Sequence, residues 1–263
     1  MSESGERQWQ GTTDGTSWMH RSLIGMMKVI PLWFFYLLMS LVIPFYMIFN
    51  HKGYVSNYHY FRRRQSFGPL ESFLHVLACH WMFGTVIMDR FASYSGKKFK
   101  VEVPQMPMYE ELCSEKSGFL QLSSHMGNDE LAGYELRPPK KMNALVFGGE
   151  GEALTENRER ILGGNNVRLV SISEDMSHLV ILNNALADGE IVNIHGDRVF
   201  GSNRTVRCVV LGAEAELPLG PFLLASMRDV PAVSVFVMKA GLRKYRVHLF
   251  RPDEGMEGLD VRE

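Results

Sequence analysis

The chain has 263 residues, 46% hydrophobic and 22% charged, which allows a sizeable core and excludes a disordered chain. Its formal net charge of −1 lacks the basic excess of a general nucleic-acid binder, so no nucleic-acid partner is expected. Cys79, Cys113 and Cys208 are widely spaced and form no CxxC pair, which argues against a disulfide framework and a structural zinc site and suits a reducing compartment.

Residues 1–25 form a polar amino-terminal segment, without the basic region, short apolar run and small-residue site of a cleaved signal peptide. Residues 26–50 are almost wholly apolar, with Lys28 the only charge, and read as a membrane-associated helix. Such a helix is ~30 Å long, the thickness of a bilayer's hydrocarbon core. Pro31 and Pro44 are expected to kink or end it. Cations flank both ends, Arg21 and Lys28 before and Lys52 and Arg62-Arg63-Arg64 after, so charge sets no orientation. A helix lying in the interface fits as well as a full span.

Residues 51–98 read as a helical segment, with Leu70, Phe73, Leu74, Leu77 and Trp81 recurring at three- and four-residue steps. His75 and His80 are five apart and do not share the face of a metal helix. Arg62-Arg63-Arg64 is a solvated face or, near a membrane, an attractor of anionic headgroups.

Residues 99–263 carry the pattern of an α/β body. Strands are expected over 100–103, 118–122, 143–147, 167–172, 190–194, 206–211, 232–237 and 244–250, and helices over 108–113, 152–162, 177–187 and 221–227. This alternation predicts a mostly parallel central sheet flanked by helices. Gly148-Gly149-Glu150-Gly151 is a glycine-rich strand exit without the lysine of a phosphate-binding loop.

The stretch Ser124-His125-Met126-Gly127-Asn128-Asp129-Glu130 stands where the strand over 118–122 ends. Parallel sheets place reactive groups at that end of their strands. A histidine there with an acid five residues on, His125 with Glu130, suggests a general base and its orienting carboxylate. A second unit, Gly196-Asp197-Arg198, ends the strand over 190–194. A third, Leu217-Pro218-Leu219-Gly220-Pro221, leads by Val230-Pro231 into the strand over 232–237.

With these three units in order behind an apolar helix, roughly residues 9–251 resemble the lysophospholipid acyltransferase superfamily, in particular the branch that includes the bacterial lipid A late acyltransferases. The resemblance implies a glycerol-3-phosphate acyltransferase-like fold. It implies transfer of a fatty acyl group from a thioester, on acyl carrier protein or coenzyme A, to a hydroxyl or amine of a lipid or lipid-like acceptor. The thioester is a co-substrate; no bound cofactor and no metal is implied. It further implies a bacterial inner membrane location, with the catalytic body on the cytoplasmic side.

Within that resemblance His125 is the base and Glu130 its orienting acid in an H-x4-E unit. The branch often carries an aromatic residue before the acid; here that position is Asp129, a second candidate acid. Gly127 and Asn128 shape the turn, and their amides are candidate oxyanion donors. Gly196 permits close approach, Asp197 can hold the Arg198 guanidinium, and Arg198 can bind a phosphate of donor or acceptor. No G-x-S-x-G elbow is present, consistent with direct attack by the acceptor and no acyl-enzyme. His195 reads as structural. The competing functions are a non-catalytic lipid-binding or scaffold protein of the same fold, and a thioesterase-like hydrolase.

Overall fold

The apolar runs of the second half build one seven-stranded sheet in the computed structural model, which describes residues 16–49, 51–146, 156, 158, 166–173, 175–199 and 204–251. Its strands are β1 (Lys100–Glu102), β2 (Phe119–Gly127), β3 (Met142–Val146), β4 (Val167–Ser171), β5 (Ile191–His195), β8 (Ala232–Gly241) and β9 (Lys244–Phe250). Their spatial order is β1-β9-β8-β2-β5-β3-β4. The run β8-β2-β5-β3-β4 is parallel, whereas β9 turns back antiparallel to β8 and β1 follows β9. A separate antiparallel hairpin joins β6 (Thr205–Val210) to β7 (Ala213–Pro218).

Both faces of the sheet are covered, as a parallel sheet requires. Leu120, Leu122, Val192 and Ile194 pack on one side against α7 (Ser177–Ala187) and α8 (Gly220–Arg228). The α7 side chains Leu182 and Leu186 are buried there, each contributing roughly 1.5–3 kcal/mol. The other side holds Phe119, Ile191, Val235 and Val247 under α1 (Ser17–Val29), α2 (Leu32–Phe49), α4 (Pro69–Tyr94) and α5 (Met106–Ser114). Helix α3 (His51–Arg63) packs on α4, and α6 (Glu130–Glu135) follows β2. The protein is thus α/β, a mostly parallel mixed sheet flanked by helices and preceded by an apolar helix.

Several boundaries differ from the sequence expectation for local reasons. The apolar run is two helices, because the residue before a proline avoids helical torsions: Ile30 lies at φ −81° and ψ 135° and ends α1. Pro44, in contrast, lies inside α2. The helical segment divides at the turn before Gly68, and Pro69 occupies the first turn of α4. Strand β7 was not anticipated, although Glu214 and Glu216 alternate with Ala and Leu after the two-residue turn Leu211-Gly212. The glycine-rich loop over 148–151 and the helix over 152–162, apart from Glu156 and Arg158, lie outside the described residues.

Helices α2 and α4 run antiparallel. Tyr36 meets Asp89, Trp81 Nε1 donates to Ser40 Oγ at 3.0 Å, and the Tyr46 ring faces His80. Both helices are long and apolar enough to span a membrane. Much of α2's outer face, including Trp33, Leu37, Leu41 and Phe45, is exposed. The inner face is fixed by a fully buried carboxylate. Asp89 accepts hydrogen bonds from Tyr36, from Tyr245 Oη at 2.5 Å and from Lys239 Nζ at 2.5 Å.

Candidate active site

Strands β2 and β5 are neighbours with Ser123 beside His195, so their carboxyl ends deliver two histidines together. The ring centroids of His125 and His195 are 4.4 Å apart at 31°. Beneath them Asn193 Oδ1 accepts from Gln121 Nε2 at 3.0 Å and Ser123 Oγ at 2.6 Å, locking the two strand ends in register.

His125 stands in a bulge. Along the ladder with β8, Ser123 pairs with Val235 but the next pairing is Gly127 with Val237, so three residues of β2 oppose one of β8. Bulges of this kind turn a side chain out of the strand's alternation. Gly127 closes the bulge at φ +71°, and a Cβ there would lie 1.9 Å from the Val237 carbonyl oxygen. Only glycine fits. The Asn128 amide N–H then donates to that same Val237 carbonyl at 3.0 Å.

The partner of His125 is Asp197, on the loop after β5. One carboxylate oxygen lies 2.8 Å from His125 Nδ1 and the other accepts the His125 backbone N–H at 2.9 Å. This two-point clamp fixes both the ring and its backbone. Burial raises the Asp197 carboxyl, but the hydrogen bonds from His125 outweigh it and hold the group below the usual carboxylate range. The expectation that Asp197 steadies Arg198 is therefore replaced: Asp197 faces His125, and Arg198 is exposed. Gly196 donates its N–H to the Ser123 carbonyl at 3.0 Å and seats this loop.

Glu130 does not meet His125 through the contacts the sequence spacing suggested. It begins α6 and turns toward α4 and Arg158. Arg158 Nη2 lies 2.7 Å from Glu130 Oε1, Arg90 Nε 3.4 Å from the same oxygen, and Tyr94 Oη donates to Oε2 at 2.5 Å. The reason is the bulge: it sends the His125 ring toward β5 while the chain turns through Gly127 and Asn128 into α6.

Asp129 completes the network. Its Oδ2 lies 2.9 Å from His195 Nε2, and its Oδ1 accepts from Arg90 Nη2 at 3.2 Å. For Asp129 burial again raises the carboxyl, and the His195 hydrogen bond with the Arg90 charge more than reverses it. For Glu130 the same opposition is won by Arg90 and Arg158. Asp129 and Glu130 thus face the Arg90 and Arg158 guanidiniums, while Asp197 holds His125, whose ring meets that of His195 on Asp129.

In the tautomer where His125 Nδ1–H donates to Asp197, Nε2 carries the lone pair. The ring is partly exposed, so that lone pair is open to a proton from outside, and Asp197 stabilises the imidazolium that results. His195, Arg90, Tyr94 and Arg158 were missed by sequence reasoning. The available signal was Arg90 and Tyr94 one turn apart in the second half of a largely apolar helix, next to Asp89. Among the described residues no group of three or more His, Cys, Asp or Glu side chains is arranged to hold a metal ion.

No family model and no curated protein matches the chain.

Proposed function

We propose that the protein is a membrane-associated acyltransferase. It moves a fatty acyl group from a thioester on acyl carrier protein or coenzyme A to a hydroxyl or amine of a lipid or lipid-like acceptor. The observation that carries this reading is the His125–Asp197 clamp at the carboxyl ends of β2 and β5, in a body that holds an apolar helix layer on one side. The motif order supports it, as does the resemblance to acyltransferases with a glycerol-3-phosphate acyltransferase-like fold. A cytoplasmic-side position on a bacterial inner membrane belongs to the same proposal.

In this mechanism the acceptor's O–H gives its proton to His125 Nε2 as its oxygen attacks the thioester carbonyl carbon. The tetrahedral intermediate collapses by breaking the C–S bond. The thiolate leaves and takes the proton back from His125, so the base is regenerated. Asp197 orients His125 throughout. Glu130 acts at one remove, by holding Arg90 against Asp129, which holds His195 against the His125 ring. Arg198, exposed on the same loop, is the candidate phosphate contact.

The test is transfer of a labelled acyl group to lipid acceptors by purified protein in detergent. His125→Ala is expected to abolish transfer; an unchanged rate would refute the mechanism. A second reading is hydrolysis, because the partly exposed His125 ring can also take a proton from water. Release of free fatty acid without acceptor, at the rate of transfer, would favour it.

A further inference from the structure

The turn between β6 and β7 presents Val209, Val210 and Leu211 to solvent, Val209 at 73% and Leu211 at 60% exposure. Among the described residues these three adjacent apolar side chains at a hairpin tip have no packing partner to explain them. The tip is seated by Arg64, whose Nη1 donates to the Gly212 carbonyl at 3.1 Å. Arg64 belongs to the corner between α3 and α4, where Arg62 donates to the Phe67 carbonyl and Arg62, Arg63 and Arg64 are all exposed. Carbonyls are neutral, so these two contacts leave the charges of Arg62 and Arg64 uncancelled among the described residues. The start of α4 adds exposed Leu70, Phe73 and Leu74.

The position of this patch constrains how α2 and α4 meet a membrane. Helix α4 has 26 residues, and is ~39 Å long. Its last turns carry Arg90 and Tyr94 into the candidate active site, and its first turn lies beside the corner that holds the hairpin tip. The carboxyl end of α4 therefore touches the α/β body, and the corner just before its first turn touches the β6–β7 hairpin. If α4 crossed the bilayer, β6 and β7 would have to accompany it. That hairpin carries Arg207 paired with Glu216, leaves Glu214 exposed, and has open edges that hydrocarbon cannot satisfy.

We infer that the hairpin tip Val209–Leu211, the Arg62–Arg64 corner and the outer apolar faces of α2 and α4 form one continuous surface that rests on a single leaflet carrying anionic lipids. The apolar tip enters the headgroup boundary and the arginines engage anionic headgroups beside it. Helices α2 and α4 lie in the interface and do not cross it. The inference extends the membrane contact in the proposed function but does not depend on acyl transfer.

The test uses full-length protein in which Cys79, Cys113 and Cys208 are replaced by alanine. Single sites Leu211→Cys, Leu70→Cys and Ile48→Cys are labelled with an environment-sensitive fluorophore, and the protein is bound to sealed phosphatidylglycerol–phosphatidylcholine vesicles from outside. All three labels are expected to move to a shallow acyl-chain environment and to be quenched by lipids labelled near the headgroup. The Arg62→Gln, Arg63→Gln, Arg64→Gln variant, with its fold checked by circular dichroism, is expected to lose about 100-fold in preference for anionic over pure phosphatidylcholine vesicles. A label at 211 that stays in water, or one at 48 reached by a membrane-impermeant quencher only from the vesicle lumen, would overturn the inference. So would an arginine variant that keeps the full anionic preference. A surface that instead takes an acidic protein would leave the label at 211 in water on vesicles. No readout involves acyl transfer, so failure here leaves the transferase proposal standing.

Discussion

Replacing Asp197 by Asn and, separately, Glu130 by Gln distinguishes the two carboxylates that could serve His125. Asp197→Asn keeps the shape but removes the charge that accepts from His125 Nδ1 at 2.8 Å. In a buried serine-protease triad the same change costs about 10⁴-fold in kcat, largely through the wrong tautomer. Here the side chains of His125 and Asp197 are 38% and 32% exposed, so water screens the pair and the expected loss is ~10²–10³-fold. Stability should change by less than about 1 kcal/mol for the same reason.

Glu130→Gln should behave in the opposite way. Its side chain is only 7% exposed, and removing its charge leaves Arg158 and Arg90 facing an amide. Breaking a buried pair costs roughly 3–5 kcal/mol, and the retained amide oxygen places this case near 3, or ~6–12 °C in Tm. The assay pair is initial-rate acyl transfer and thermal unfolding in the same detergent. The reasoning is refuted if Glu130→Gln lowers kcat as far as His125→Ala with Tm unchanged, while Asp197→Asn is neutral.

Further outcomes follow from the same contacts. Asp89→Asn leaves Lys239, 4% exposed, without its counter-charge and should cost ~3–5 kcal/mol by thermal unfolding, with much of the loss recovered in the double variant Asp89→Asn, Lys239→Met. Gly127→Ala must move the Val237 carbonyl and should cost on the order of 3 kcal/mol or prevent folding, read as a lowered Tm or loss of detergent-extractable folded protein. Asp129, Glu130 and Asp197 all titrate below the usual carboxylate range, so their stabilisation is complete above the unfolded value of ~4 and is lost as pH falls through the folded values. Tm should accordingly be level from pH 7 to about 5 and drop below about 4, and Asp129→Asn should shift the loss to neutral pH and flatten the acid limb.

The sheet was legible because its buried strands are short apolar runs bounded by Gly, Pro and helix caps, and periodicity reports burial directly. The site was legible at the level of strand ends: His125 and Asp197 were both singled out, from separate units. Their partnership was not, because it depends on which strand lies beside β2. Sequence order places β3 and β4 before β5, yet β5 is the neighbour of β2. Spacing along one chain favoured Glu130, five residues from His125, over Asp197, which lies beyond β5. The bulge at Ser124–Met126 was equally hidden, since a bulge is a mismatch between two strands and neither shows it alone. Strand β7 escaped because its outward glutamates mask a hairpin whose apolar side chains are few.

Helix α4 links the apolar layer to the acids through two consecutive residues. Asp89 faces Tyr36 of α2 together with Lys239 and Tyr245 of the sheet, and Arg90 faces Asp129 and Glu130. Successive residues on a helix point about 100° apart, so one turn of α4 grips α2 and the sheet on one side and the acid network on another. Helix α2 is therefore part of the wall behind the site as well as an apolar surface. Deleting residues 1–50 would remove the Tyr36 hydroxyl and open the buried Asp89–Lys239 pair to water. It would also uncover the α4 stripe that now contacts Met39 and Ile43. A helix that served only as a tether would be dispensable to the body's Tm. The shared turn at Asp89-Arg90 requires instead that losing α2 lowers the stability of the body and loosens Arg90 from Asp129, even where detergent replaces the membrane.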